Sequence, residues 1–293
     1  MWGVCGNVHE SARPQVEDFA REHFKTLVSN ASAFLRDPYG VCIDVSHGEL
    51  VPWSSMLGPA FSFDPRAPYS SLLVPTADTV RTSFLLERLA GAGHHALFLG
   101  ETGFGKSVIV QRSLDRMAAP GERFVTCTLN CSAQTQPENL QHVFESKLEK
   151  KRKALLGPPA GKSMLLFVDD LNMPALDTYG AQPPNELLRQ VIDSGGYYDS
   201  VKLFFKAVAG VVVTAAAAPP GGGRNPVSAR LVRHFSVFWL TALRPESLRG
   251  IFLPILSGFL ESAASGLVPL AAPLVEASVS IYVRIASELL PTP

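Results

Sequence analysis

Residues 100–107 read Gly-Glu-Thr-Gly-Phe-Gly-Lys-Ser, a full match to the pattern GxxxxGK[ST]. The match follows the apolar run Ala96–Leu99 and precedes a helical pattern beginning at Ser107, the strand-loop-helix setting that the pattern requires. Its chemistry is anion binding. Glycines let successive backbone N–H groups wrap a phosphate, and the following helix turns its N-terminus toward the same charge. Lys106 is placed to reach the β- and γ-phosphates of a nucleotide, and the Ser107 hydroxyl to ligate Mg²⁺. A glycine-rich turn that merely contains a lysine would lack the flanking strand and helix.

A chain built around such a loop should alternate strands and helices. Short apolar runs at Ala96–Leu99, Phe124–Leu129, Met164–Val168, Val208–Thr214 and Phe235–Leu240 are separated by helical patterns at Ser107–Met117, Asn139–Lys151 and Glu186–Ile192. That order predicts an α/β core with a mostly parallel sheet covered on both faces. The run Leu165-Leu166-Phe167-Val168 ends in Asp169-Asp170, with Asp169 lying 62 residues beyond Ser107. Strand ends in such sheets open onto the ligand crevice. Asp169 is therefore the candidate Mg²⁺ ligand, and Asp170 the residue that orients or polarises an attacking water.

With 293 residues, 46% of them hydrophobic, the chain has ample material for a core. Its 26 basic and 26 acidic residues cancel. This excludes the broad positive field of a protein that lives on nucleic acid or an anionic membrane, so phosphate recognition must be local. Cys5, Cys42, Cys127 and Cys131 are too few and scattered for a disulfide framework and fit a reducing compartment. The N-terminus lacks the pattern of a secretory signal, Ala207–Ala218 is too short to cross a bilayer, and Ile251–Leu270 contains Pro254 and Glu261. The chain reads as soluble and intracellular.

Outside the core, Val16, Phe19, Ala20, Phe24 and Leu27 have helical spacing. The Pro/Gly-rich stretch Asp37–Pro75 suggests loops with a small hairpin at Val41–Val45. Thr76 is a cap for a helix through Ala90. Beyond Pro245 only helical periodicity remains. The pair His94-His95 reads as loop, Cys127 and Cys131 as buried small hydrophobes, and Lys147, Lys150, Lys151, Arg152 and Lys153 as a solvated helix end.

Taken together, the loop and the strand-end carboxylates resemble the AAA+ branch of the P-loop NTPases. Further stretches narrow the likeness: Val74-Pro75-Thr76-Ala77-Asp78-Thr79-Val80-Arg81, Asp169-Asp170-Leu171-Asn172-Met173-Pro174, Tyr179-Gly180-Ala181-Gln182-Pro183-Pro184, Glu186-Leu187-Leu188-Arg189-Gln190, Pro219–Pro226 and Arg230-Leu231-Val232-Arg233-His234-Phe235. These resemble the third AAA+ module of axonemal dynein heavy chains over nearly the whole chain. The spacing from Ser200 to Ala218 fits the same register.

The resemblance implies a three-layer AAA+ core over 76–243, the end of a preceding module's helical lid over 1–35, a Pro/Gly-rich extension with a hairpin over 36–75, and a partial helical lid over 244–293. It implies ATP and Mg²⁺ held by Gly100, Glu101, Thr102, Gly103, Phe104, Gly105, Lys106 and Ser107 with Asp169 and Asp170, the segment Leu73–Thr76 (Val74, Pro75, Thr76) lining the adenine. Arg233 is the candidate arginine finger toward a neighbouring module, with Arg230 second; both could instead be solvated helix residues. Two departures from the family pattern favour binding over turnover. Asp170 stands where most active sites carry glutamate, and the strand Val208–Thr214 runs into Ala215–Ala218, where a polar sensor is usual.

The implied setting is a motor ring in the cytoplasm and cytoskeleton, at the axoneme of a cilium or flagellum. Its partners there are neighbouring modules and dynein intermediate and light chains, with microtubules reached only through parts outside this chain, and neither nucleic acid nor membrane. In that family Met1 and Pro293 would both fall inside larger structure. The alternatives are a nucleotide-silent structural ring segment and a free-standing P-loop enzyme such as a small-molecule kinase.

Overall fold

The computed structural model describes residues 1–24, 32–44, 46–59, 61–68, 72–199 and 203–289. Leu27, Val45, Ser200 and Pro293, which entered the sequence reading, lie outside the described residues. In chain order the elements are α1 (Trp2–Cys5), α2 (Arg13–Phe24), α3 (Ser32–Arg36), β1 (Val41–Asp44), β2 (Glu49–Pro52), α4 (Ala77–Gly91), β3 (His95–Leu99), α5 (Lys106–Met117), β4 (Phe124–Asn130) and α6 (Pro137–Lys147). They continue with β5 (Glu149–Arg152), β6 (Leu155–Gly157), β7 (Ser163–Asp169), α7 (Pro183–Ser194), β8 (Gly196–Tyr198), β9 (Phe205–Val208), β10 (Val211–Ala217), α8 (Ala229–Val232), β11 (Phe235–Trp239), α9 (Pro245–Ala263) and α10 (Ala271–Glu288). Two compact units divide them, Trp2–Glu10 with Ser83–Thr241, and Ser11–Thr82 with Ala242–Pro293.

The first unit holds a five-stranded sheet ordered β11-β3-β10-β7-β4, every pairing parallel. This is the sheet that the strand-helix alternation predicts. Its central strands are almost wholly apolar because both faces are covered: Leu97, Phe98, Leu165, Leu166, Val213, Ala215 and Ala216 are all at most 1% exposed. Ile109, Val110 and Leu114 of α5, Leu140 and Phe144 of α6, and Leu188 and Val191 of α7 are buried with them. Phe98 stacks on Phe238 at 5.6 Å, and Trp239 N–H donates to Gly6 O at 2.7 Å, fastening residues 2–10 beside β11.

Three details depart from the sequence reading. The run Val208–Thr214 is two strands, because Gly210 at φ 70 breaks it, and Ala215–Ala217 are strand residues paired with Leu97–Leu99. The helical pattern expected through Lys151 stops at Lys147, and Glu149–Arg152 form an exposed strand. With β6, β9 and β8 that strand makes a separate four-stranded sheet. His95 is a strand residue whose Nδ1 accepts from Val213 N–H at 2.9 Å.

In the second unit β1 and β2 form an antiparallel hairpin. Trp53 is 2% exposed there and donates from Nε1 to Tyr39 O, while Arg13 lies over the Tyr39 ring at 4.8 Å. Thr76 and Thr79 exchange backbone and side-chain bonds at the start of α4. Helices α9 and α10 are joined by the two-bond pair of Arg249 with Glu276. The spacing Ala271, Val275, Val279 gives α10 one buried stripe. Leu274, Ile281, Tyr282 and Ile285 remain at least half exposed. By length and composition alone Ser265–Glu288 could cross a membrane.

Candidate nucleotide site

Parallel pairing brings the carboxyl ends of four strands into line. Ala217 is opposite Leu99, Trp239 opposite Leu99 on the other side, and Ala215 opposite Val168. The segments that leave these ends are residues 100–105, Asp169–Pro174, Ala218–Arg224 and Leu240, and ligand crevices of open α/β sheets form at such ends.

The loop after β3 owes its path to its glycines. Gly103 and Gly105 have φ of 89° and 75°, the left-handed region that L side chains disfavour. At Gly100 a Cβ would stand 2.8 Å from Leu240 O, so backbone packing excludes any side chain. Gly105 ends the loop and caps α5, and its carbonyl accepts from Ile109 N–H at 2.9 Å. Lys106 is 8% exposed, and its Nζ donates to Gly100 O at 2.8 Å and Glu101 O at 2.7 Å. Burial lowers its pKa, while the charges of Asp170, Asp169 and Glu101 oppose that shift and the charge of Arg224 adds to it. Ser107 is half-buried at the start of α5, and Glu101, Thr102 and Gly103 are exposed.

Asp169 and Asp170 are half-buried at the end of β7. Asp170 N–H donates to Asp169 Oδ1 at 3.1 Å. Asp170 itself has φ 52, a left-handed conformation that Asp and Asn adopt more readily than other non-glycine residues. The segment behind it is held by side-chain amides. Asn172 Nδ2 donates to Ala218 O at 2.7 Å, Gln182 Nε2 to Pro174 O at 2.7 Å, and Asn185 Nδ2 to Leu171 O at 2.9 Å. Asn225 adds backbone N–H to Asn172 O at 3.0 Å and Nδ2 to Pro174 O at 2.9 Å. These four amides and Arg224 were not among the site residues expected from sequence. Asn172, Gln182 and Asn225 belong to the stretches that carry the family likeness, whereas Asn185 falls between two of them; an adjoining proline marks Gln182, Asn185 and Asn225 but not Asn172.

The remaining expected residues lie on other segments. Arg233, exposed just after α8, pairs with Asp193 at 3.1 Å and donates from Nε to His234 Nε2 at 3.2 Å. Arg230 is exposed and has no ion pair among the described residues. Val74, Pro75 and Thr76 belong to the other compact unit, before α4. Cys131 N–H donates to Asp169 O at 2.9 Å. Burial, with the charges of Asp170 and Asp169, pushes its thiol up to about 12.

These residues fit a magnesium-bound polyphosphate. Gly103 and Gly105 put no side chain at two turns of the loop, and Lys106 offers an ammonium. A hydroxyl and two carboxylates are the hard oxygen donors that Mg²⁺ takes when substrate phosphates complete its shell. Among the described residues no group of three or more His, Cys, Asp or Glu could hold a metal by itself.

The pattern of the family "P-loop containing dynein motor region" matches residues 61–243. The whole chain is 43% identical over 293 residues to dynein axonemal heavy chain 6 of Homo sapiens, covering 7% of that protein. It is 36% identical over 293 residues to the dynein-1-beta heavy chain, flagellar inner arm I1 complex, of Chlamydomonas reinhardtii, covering 6% of it. Against dynein axonemal heavy chain 1 of Homo sapiens the identity is 40% over 256 residues, covering 83% of this chain. The chain thus spans less than a tenth of the length of these relatives.

Proposed function

The chain belongs to the P-loop-containing dynein motor region family, and from that premise we propose that it is an ATP-binding AAA+ module of a motor ring, the third in its heavy chain. One observation carries this reading. The Gly100–Ser107 loop, the Asp169-Asp170 pair and the Asn172–Asn225 staple share the carboxyl edge of one parallel sheet. In this reading Gly100–Ser107 bind the polyphosphate and Lys106 its β- and γ-phosphates. Ser107 and Asp169 hold Mg²⁺, which supplies charge neutralisation when bound. Asp170 orients water, and Arg233, released from Asp193, reaches a neighbouring module as the arginine finger.

Hydrolysis at this site is slow, and its nucleotide state regulates the ring. Asp170 is one methylene shorter than glutamate, and a misplacement of about 1 Å can cost on the order of a hundredfold in rate. Ala215–Ala217 cannot position water. Within an axonemal heavy chain the module serves microtubule-based movement of a cilium or flagellum. It works through neighbouring modules that cover the exposed row on α10, and in company with intermediate and light chains. Microtubules are contacted by other segments of the heavy chain.

Binding is tested by titrating a fluorescent ATP analogue against the chain and against Lys106→Ala. Saturable binding that the substitution weakens at least tenfold is expected. Equally weak signals from both would leave a nucleotide-silent ring segment, the reading that Asp170 and the alanines would favour.

A further inference from the structure

Arg224 is a cation with no part in the proposed binding of polyphosphate or Mg²⁺. Arg224 ends the Pro-Pro-Gly-Gly-Gly loop after β10, where Gly221, Gly222 and Gly223 all have positive φ and Gly221 and Arg224 exchange backbone bonds of 3.1 and 3.0 Å. A turn this tight fixes where the arginine begins. Its next residue, Asn225, is bound by two hydrogen bonds to Asn172 and Pro174, in the segment that follows Asp170. The loop is therefore fastened to the carboxylate wall of the site. The Arg224 Nε is buried, yet has no hydrogen-bond partner among the described residues, and the guanidinium makes no ion pair among them. Its charge acts on the Lys106 ammonium. An anion would complete this arginine, because an unsatisfied buried donor is costly and a guanidinium suits phosphate oxygens bidentately.

We infer that Arg224 is a nucleotide-contacting residue of this same site, gripping the terminal phosphate of ATP from within the chain and supplying the polar contact that the alanine strand end lacks. The inference rests on the ATP-binding reading. The terminal phosphate is the one addressed because the loop is pinned two residues beyond Asp170, at the end of the site where the water-orienting carboxylate stands.

The test compares ATP and ADP affinities, by competition with the fluorescent analogue, for the chain, Arg224→Gln and Arg224→Lys, with thermal unfolding without nucleotide as the fold control. We expect Arg224→Gln to lose about tenfold or more in ATP affinity with ADP nearly unchanged, and Arg224→Lys to fall between, since it keeps the charge but not the fork. If Arg224→Gln does not fold, the lysine variant carries the same ratio test. Unchanged ATP affinity, or equal loss for both nucleotides, would overturn the assignment even with binding by the parent chain intact. Failure of the parent chain to bind better than Lys106→Ala would remove the ATP reading and this inference with it.

Discussion

Asp170 shows how one residue answers to backbone and chemistry at once. Its φ of 52 favours Asp or Asn over Glu, so the short carboxylate suits the bend that ends β7 even where a longer one would suit hydrolysis. The place of the loop between β3 and α5 was legible because its glycines, lysine and hydroxyl follow an apolar run in fixed order. Arg224 was not, because what fixes its loop is distant in sequence: Asn225 is bonded to Asn172, 53 residues before it. Only the glycine triplet before it hinted at a shaped turn. A reactivity prediction also belongs to this scale. With its thiol pushed up to about 12 by burial and by Asp170 and Asp169, Cys131 should stay protonated at pH 8 and resist alkylation. Asp170→Asn removes one of the two opposing charges, which lowers the thiol pKa and should speed labelling at Cys131, read peptide by peptide in a mass spectrometer. An unchanged rate would mean that burial alone protects the sulfur.

Among the elements, strands with both faces covered were readable as apolar runs, and the helices α5 and α7 by their periodicity. The small four-stranded sheet was not. All four residues of β5 are exposed, so Glu149–Arg152 carry no alternation of burial to betray a strand, and their charges suit a helix end equally well. The helix stops because Leu148 takes an extended conformation while its N–H still bonds Phe144 O. Lys150 then pairs with Leu156 across the hairpin. Likewise Gly210, inside an unbroken apolar run, looked like strand interior until its positive φ divided β9 from β10. The same small sheet yields a stability prediction. At Gly196 in β8 a Cβ would collide with Lys206 O and stand 2.8 Å from Ala207 Cα, both backbone atoms. Gly196→Ala should therefore cost about 1–3 kcal/mol, the usual price of forcing atoms into a packed site, measured by urea unfolding. A loss below 0.5 kcal/mol, roughly the scatter expected of surface changes, would show that β8 can shift away.

For the molecule as a whole, sequence order and contact diverge. Trp2–Glu10 cluster with the sheet through Gly6 against Phe238 and His9 against Trp239, whereas Ser11–Thr82 cluster with the C-terminal helices. Linear boundaries implied by a family likeness do not carry this grouping, because it depends on which residues meet. The proposed slow hydrolysis is tested at the same scale. Asp170→Glu in an assembled heavy chain should raise hydrolysis at this module, by phosphate release with the other modules' sites disabled. No gain would mean that carboxylate length does not limit the rate. The Lys106 bonds to Gly100 and Glu101 bear on what the site will accept. The loop supplies two neutral oxygens to its own ammonium, so an incoming anion competes with an internal ligand at every encounter. A polyphosphate would bring several charged oxygens, whose hydrogen bonds to an ammonium are roughly twice as strong as those of neutral carbonyls. In the proposed role the loop thus sets its own threshold, which a ligand passes by bringing charged oxygens to replace the two carbonyls.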